Sequence, residues 1–279
     1  MDIITVYYIV MYVFVFLFGI CIGSFLNVCI YRLPINESLT KKNSHCMTCG
    51  TPIRKRDLIP IVSWCCLRGK CHACGARISP RYTVVEALNG VLYLVVFMLN
   101  DIVSPVRLLH AALVSLMFSA RIVVFFMDWD TQLINLYVVL FIAIVAIPEM
   151  LFCERATGVD IRSHIIGAFV VSIPLLILSK ASHEKAMGMG DVYLMAAGGL
   201  FLGIQGVLIA MLIALLSGSV CGIIIKYATS SSKFAFGPYL SIGIAIAALW
   251  GGQLGDLYMR LTGLEEILNE SAEMAMLLM

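Results

Sequence analysis

Charged side chains are scarce in this chain: Asp, Glu, Lys and Arg together supply 13% of the 279 residues, against 61% hydrophobic. Soluble domains run at about 25% charged and roughly 45–50% apolar. The deficit excludes a soluble globular enzyme, and the apolar excess, with a mean hydropathy of +0.98, excludes a disordered chain. Basic residues are missing from Met1 to Val10, so the first apolar stretch has no signal-peptide n-region and reads as an uncleaved span. A Gly-rich dinucleotide fingerprint is lacking. Inverted internal repeats, which a transporter would carry, are lacking too.

What fills the chain is apolar runs. Residues 3–26, 83–100, 106–127, 134–152, 164–179, 206–226 and 238–258 are each long and apolar enough to suggest crossing a ~30 Å hydrocarbon core. Residues 192–203 form a shorter piece, tilted or broken at Gly198-Gly199. The expected fold is therefore an all-α polytopic membrane protein of about eight spans, or seven if 192–226 is one bent unit. The expected organisation is a first span (1–31), a polar block (32–81), a main membrane domain (82–260) and a short acidic tail (261–279).

Charge is scarce but unevenly spread. Residues 32–81 hold ten of the nineteen Lys and Arg against two acids, Glu37 and Asp57, a net +8. The tail leans acidic, with Glu265, Glu266, Glu270 and Glu273 against Arg260. The positive-inside rule puts the basic block in the cytoplasm. Alternating the spans then puts loops 180–190 and 227–237, with Lys180, Lys185 and Lys233, on the same side, and Asp128 at the cytoplasmic end of the third span. The tail and loops 101–106 and 153–163 fall outside. Anionic lipid head groups are the expected electrostatic partner of the basic block; nucleic acid is not expected.

Cysteine is plentiful, and six of the ten lie in residues 46–74. Cys46-Met-Thr-Cys49-Gly50 and Cys71-His-Ala-Cys74-Gly75 are two copies of one knuckle, the C-x2-C…C-x2-C spacing of a tetrahedral zinc site. Glycine after each second cysteine lets the backbone turn tightly. Two disulfides are the alternative, but thiols stay reduced in the cytoplasm. His45 and His72 sit beside the ligands and could substitute for one. Cys65 and Cys66 are adjacent, which suits packing better than sharing one metal. Cys21, Cys29, Cys153 and Cys221 read as small apolar residues in or near spans.

Ionisable groups at membrane depth are costly and so are functional candidates. They are Glu86, Arg121, Asp128, Asp130, Glu149 and Asp191. Glu149 reads as a rim charge reaching water, Arg121 as a snorkelling or ion-paired residue, and Glu86 as a structural partner one turn into span two. Asp128 and Asp191 both fall at cytoplasmic span ends, and Gly188-Met189-Gly190 delivers Asp191 to the start of a helix. Two aspartates meeting at one depth can share a proton, one acting as base and the other as acid on a peptide carbonyl. Helix capping by Asp191 is the alternative, and Asp130 could replace Asp128. A proton or cation relay and a zinc-stabilised scaffold without chemistry are competing uses of the same residues.

Six segments together carry a resemblance. They are Gly23 to Pro34 (GSFLNVCIYRLP), the two knuckles with Ile59 to Trp64 and Leu67 to Cys71, and Ile78-Ser79-Pro80-Arg81-Tyr82 with Glu86. Asp128-Trp129-Asp130-Thr131-Gln132-Leu133-Ile134, Gly188-Met189-Gly190-Asp191 and Phe236-Gly237-Pro238-Tyr239-Leu240 complete the set. In this order they resemble the bacterial type IV prepilin peptidases, leader peptidase/N-methyltransferases with a GxGD intramembrane aspartic site. One departure is Asn135-Leu136, where that family usually has Pro-Asp. The resemblance implies removal of basic leader peptides from type IV prepilins or pseudopilins, after a glycine, at the cytoplasmic face of the bacterial inner membrane. It also implies N-methylation of the new N-terminal residue with S-adenosylmethionine as donor. Asp128 and Asp191 map to the catalytic pair, with Gly188, Gly190, Asp130 and Glu86 in support. Cys46, Cys49, Cys71 and Cys74 map to a structural Zn2+ site. The resemblance names no residues for the methyl donor.

Overall fold

The structure is a computed structural model, and it describes residues 2–100, 104–153, 159–185, 187–229 and 235–262. Asp101, Glu154, the Ser230-Ser231-Ser232-Lys233 segment and the four tail glutamates lie outside the described residues.

Where water is absent, a backbone can satisfy its own polar groups only as a helix or a closed barrel. The described residues form helices and no strand: α1 Ile3–Arg32, α2 Val62–Cys66, α3 Arg81–Leu99, α4 Pro105–Thr131, α5 Leu136–Phe152, α6 Ile161–Val170, α7 Ser172–Ala181, α8 Met189–Thr229 and α9 Gly237–Thr262. Six helices, with α6 and α7 counted as one, are long and apolar enough to cross a membrane, and α5 is a shorter apolar helix. The fold is thus an all-α, polytopic membrane protein.

Local chemistry sets the helix ends. Pro105 opens α4, where its missing N–H costs nothing. Gln132 closes it in the left-handed region at φ 54°. Asn135 caps α5 by accepting the Tyr137 N–H at 2.9 Å. Pro174 removes a helical bond to Val170 and crowds its carbonyl, and the chain breaks there, between α6 and α7.

The largest departure from a straight helix lies within α8. Gly203 has φ 75° and ψ −177°, a conformation essentially reserved for glycine. Before it, Gly198 lies against Ile244 of α9; after it, Gln205, Gly206, Ala210 and Gly218 meet Gly255, Gly251, Gly243 and Tyr239 in descending order. The chain therefore folds back at Gly203, five residues beyond the Gly198-Gly199 break expected from sequence. Gly198 and Gly199 serve instead as close-packing positions, Gly199 against the Gly167 backbone of α6. The first half of α8, Met189 to Gly203, is only about 22 Å long at 1.5 Å per residue. Gly203→Ala is expected to destabilise the protein by ~1–3 kcal/mol, because the added Cβ meets Val159 and Ser163 in a backbone conformation alanine avoids. A lowered thermal unfolding midpoint in detergent would register it.

α4 is the central helix. Ala111, Val114, Met117, Val124 and Met127 are each 1% exposed or less. α1 shows the opposite, with Ile3, Val10, Phe14 and Phe18 all open on its outer face, as suits a helix bordered by lipid. α1 and α3 approach closely at Gly19 and Gly90, and at Gly23 beside Glu86.

Candidate functional site

One end of the bundle gathers six helix termini. The Asn135 amide donates to the Leu33 carbonyl at 3.3 Å, joining the start of α5 to the end of α1. Arg81, opening α3, forms an ion pair with Asp130 at 2.7 Å, and its guanidinium lies 4.7 Å from the centre of the Phe126 ring on α4. Gly190, opening α8, packs on Ile134 ahead of α5. The Gly237 N–H, opening α9, donates to Asp128 Oδ2 at 3.0 Å.

Asp128 and Asp191 meet at this end. They are 5% and 9% exposed and close enough for their charges to interact. The Asp128 carboxylate is held by the Gly237 amide at a helix start, and Asp191 stands in the first turn of α8, where the nearby Gly188 amide acts on it. Unsatisfied N–H groups at helix N-termini favour negative charge, which offsets part of the repulsion between two acids. A Cβ on Gly237 would stand 2.6 Å from Asp128 Oδ2, so glycine is required by space there. The capping alternative for Asp191 captures part of its environment, since the Gly188 amide lies near enough to act on it. It does not explain the second buried carboxylate beside it.

The cysteine block sits at the same end, because it connects the end of α1 to the start of α3. Its two knuckles repeat in three dimensions. The Gly50 and Gly75 N–H groups donate to the Cys46 and Cys71 carbonyls at 2.8 and 3.0 Å. Both glycines have φ near +70°, with open space around them, so here conformation and not room demands glycine. The four Sγ atoms of Cys46, Cys49, Cys71 and Cys74 all lie within 4.8 Å of one another, with Cys46 and Cys74 3.9 Å apart. A tetrahedron of ~2.3 Å metal–sulfur bonds has edges of ~3.8 Å. Backbone amides of Cys49 and Thr48 lower the Cys46 thiol to about 6. The Thr51 hydroxyl and amide lower Cys49. At Cys74 the Ala76 amide pulls down, but the surrounding sulfurs prevail and raise it to about 11. Four neighbouring thiols cannot all ionise unaided, and a divalent cation is the natural compensation. The donor set fits a metal ion.

The bacterial peptidase A24 N-terminal domain profile matches residues 17–100, and the type IV leader peptidase family profile matches residues 115–223. The prepilin leader peptidase/N-methyltransferase of Aeromonas salmonicida (strain A449) is 33% identical over 277 residues, covering 88% of this chain and 92% of the relative. The chain belongs to the type IV leader peptidase family. The Neisseria gonorrhoeae prepilin leader peptidase/N-methyltransferase is 32% identical over 255 residues, 80% of this chain and 85% of that protein. That of Myxococcus xanthus (strain DK1622) is 34% identical over 228 residues, 78% of this chain and 64% of its own length. No solved structure matches the chain.

Within this leader-peptidase fold the remaining charged candidates separate. Asp130 turns to Arg81 and stands apart from the buried pair; it is Asp128 that faces Asp191. Glu86 is 8% exposed and accepts the Ile61 N–H at 2.8 Å, latching the cysteine block to α3. Ile61 has φ 61° and ψ −55°, unusual for a β-branched residue. Glu149 is no rim charge: it is 1% exposed and pairs with His110 at 2.6 Å, beside buried Cys153. Arg121 neither snorkels nor pairs with an acid. It is 3% exposed; among the described residues its Nε and Nη1 have no hydrogen-bond partner, and Nη2 meets Met117 Sδ at 3.8 Å. Cys65 and Cys66 are exposed, so they do not pack into the protein as expected. His45 and His72 stay outside the sulfur cluster; His72 lies 3.6 Å from Asp57.

Sequence reasoning missed the Gly237 amide on Asp128 and the Arg81–Asp130 link. Both residues stand in segments already singled out, but their partners lie 109 and 49 positions away. No local pattern reports such a pairing.

Proposed function

We propose that this chain removes leader peptides from type IV prepilins or pseudopilins and methylates the new N-terminus, with Asp128 and Asp191 as the catalytic pair. The single observation carrying the reading is the pair itself: two enclosed carboxylates from α4 and α8, facing one another at one end of an apolar bundle, in a chain of this family.

The chemistry follows from that geometry. One carboxylate takes a proton from the attacking water while the other gives one to the scissile peptide, and the roles then reset. The Gly237 amide holds the Asp128 carboxylate in place, so little reorganisation of that group is needed during reaction. A pilin precursor is a basic leader followed by an apolar helix. That helix lies in the bilayer beside the spans, which brings the scissile bond to the level of the aspartates. Positive charge concentrated in residues 32–81 supports a cytoplasmic position for this end, and hence a bacterial inner-membrane location with leader removal on the cytoplasmic side. Arg81–Asp130 and Glu86–Ile61 act as struts between the cysteine block and the site.

In the same reading the four cysteines hold a structural Zn2+, which crosslinks the two knuckles. S-adenosylmethionine supplies the methyl group when bound. Replacing Cys46 and Cys71 together by serine is expected to reduce bound zinc from about one ion per chain to near zero, measured by metal analysis of the purified protein. Retained zinc at wild-type level would remove the cysteine cluster as the metal site.

The test of function is mass spectrometry of a prepilin-like substrate with a Gly-Phe junction, incubated with the detergent-solubilised protein and S-adenosylmethionine. The expected product starts at Phe and carries one added methyl. An unmethylated product leaves a peptidase alone. An intact substrate, when a relative cuts it in parallel, contradicts the proposal.

A further inference from the structure

Three reactive side chains that the peptidase chemistry does not use gather at the other end of the bundle. His110 lies in the second turn of α4, eighteen residues and about 27 Å along the helix from Asp128. Opposite it are Glu149, in the last turn of α5, and Cys153, which closes that helix. His110 Nδ1 and Glu149 Oε1 are 2.6 Å apart. The Cys153 N–H donates to the Glu149 carbonyl at 3.0 Å, so one helical turn sets both α5 residues on the same face. Ligand atoms from the three side chains all lie within 4.8 Å of one another. Among the described residues, only the four knuckle cysteines form a second group of this kind.

Burial makes the cluster costly as it stands. Glu149 is 1% exposed and Cys153 is fully buried. Among the described residues, Glu149 Oε2 has no hydrogen-bond partner. A carboxylate enclosed with one oxygen unpaired carries a desolvation penalty that the His110 contact offsets only in part. A divalent cation would relieve it. With Glu149 as carboxylate, Cys153 as thiolate and His110 neutral, two negative charges balance the ion and the assembled site is uncharged. Enclosed charges are tolerated when they are paired in this way or coordinate a metal.

The donor set selects the ion. Thiolate, imidazole and carboxylate together suit zinc-type cations, whereas magnesium and calcium take oxygen ligands. Bonds of ~2.0–2.3 Å put tetrahedral ligand atoms roughly 3.4–3.7 Å apart, so small side-chain shifts close the cluster on an ion. Three protein ligands leave a fourth position for water. The His110 side chain is 16% exposed, which gives the ion a way in from the end of the bundle. With one thiolate against four in the knuckles, this is the looser site, and it gives up its ion during purification while the knuckles keep theirs.

We propose that His110, Glu149 and Cys153 form a site for one exchangeable zinc-type divalent ion, clipping the start of α4 to the end of α5. On loading, His110 Nδ1 binds the ion and the ring carries its proton on Nε2, while Cys153 gives its thiol proton to water. The site stands apart from the peptidase reading, which sets only its side: with the aspartates facing the cytoplasm, this end samples ions outside the inner membrane. The ion braces the helix that carries Asp128 at its opposite end.

Cobalt is the probe, because a thiolate bound to Co2+ gives a charge-transfer band and Zn2+ gives none. Full-length protein in detergent, with its knuckle zinc in place, is titrated with Co2+. Wild type is expected to bind about one cobalt per chain with zinc content unchanged, to develop the thiolate band, and to unfold at a higher temperature. Cys153→Ser and His110→Gln, the second of which keeps a donor for Glu149, are each expected to weaken binding at least about tenfold, since losing a ligand costs no less than losing a ligand's partner. X-ray absorption of the wild-type cobalt needs no variant to fold, and a single sulfur among nitrogen and oxygen ligands is expected. No bound cobalt overturns the site. So does cobalt that displaces zinc into a four-sulfur shell, cobalt held by oxygen alone, or binding unchanged in both variants. Leader removal on the same samples separates the two readings. A chain that binds cobalt at these residues but cuts no leader supports the site and contradicts the peptidase; one that cuts without binding does the reverse.

Discussion

Asp128→Asn and Asp191→Asn are each expected to reduce leader removal by roughly 10²–10⁴-fold, the scale at which positioned acid–base groups contribute. Either variant should still insert and fold. Asparagine at 128 keeps an oxygen to accept the Gly237 N–H, and at either position it keeps the side-chain volume and removes one buried charge from beside another. What it cannot do is take a proton from water or return one to a leaving group. The double variant should be little worse than either single one, because the two carboxylates act as a unit. Initial rates on a prepilin substrate, with thermal unfolding of each variant as the folding control, measure this. Leader removal at normal rates by either variant would end the assignment of that residue.

Gly237→Ala carries the second large effect, and it touches no ionisable group. The added methyl stands 2.6 Å from Asp128 Oδ2 and 2.9 Å from its Cγ, well inside contact distance, so the carboxylate must move or α9 must shift. Displacing a catalytic group by about 1 Å can cost 10²-fold in rate, and a loss of that size is expected here. Gly252→Ala on the same helix is the control, since nothing lies within 4 Å of the added methyl. Alanine also favours helix over glycine by ~1 kcal/mol, so both variants should remain folded. Equal rates for both would mean that the Gly237 contact does not position Asp128.

These two predictions differ in what foretold them. Asp128 and Asp191 stood out in the sequence because acids are rare in apolar runs and costly there. Gly237 stood in a recognised segment with no stated role, since nothing within its own run identifies Asp128 as the atom it must clear. The clustering of the four knuckle cysteines was legible, because paired cysteine spacing and a glycine at each turn are local requirements. Helix positions were legible to within a few residues for the same reason: apolar length is a local property.

The reversal in α8 was only half legible. An apolar piece too short to span upright pointed to a break, yet two adjacent glycines drew attention away from Gly203. Which glycine packs and which one turns depends on what lies beside it, and the backbone of α6 lies beside Gly199. Glu149 and Arg121 failed for a related reason. Hydropathy assigns a depth to each residue but not a facing direction, and the middle of α4, from Ala111 to Asp128, proved to be largely enclosed.

By itself, then, the sequence determined the helical membrane class, the block in which positive charge collects, the paired four-cysteine spacing and which acids stand out in apolar runs, since each rests on composition or on spacing within one segment. Only the tertiary structure decided that Asp128 lies close enough to act on Asp191 while Asp130 pairs with Arg81, that the Gly237 amide holds the Asp128 carboxylate, that Glu86 latches the cysteine block, and that this block encloses a cavity against α1 and α3. Those outcomes join residues scores of positions apart, and they are decided by which helix faces pack together.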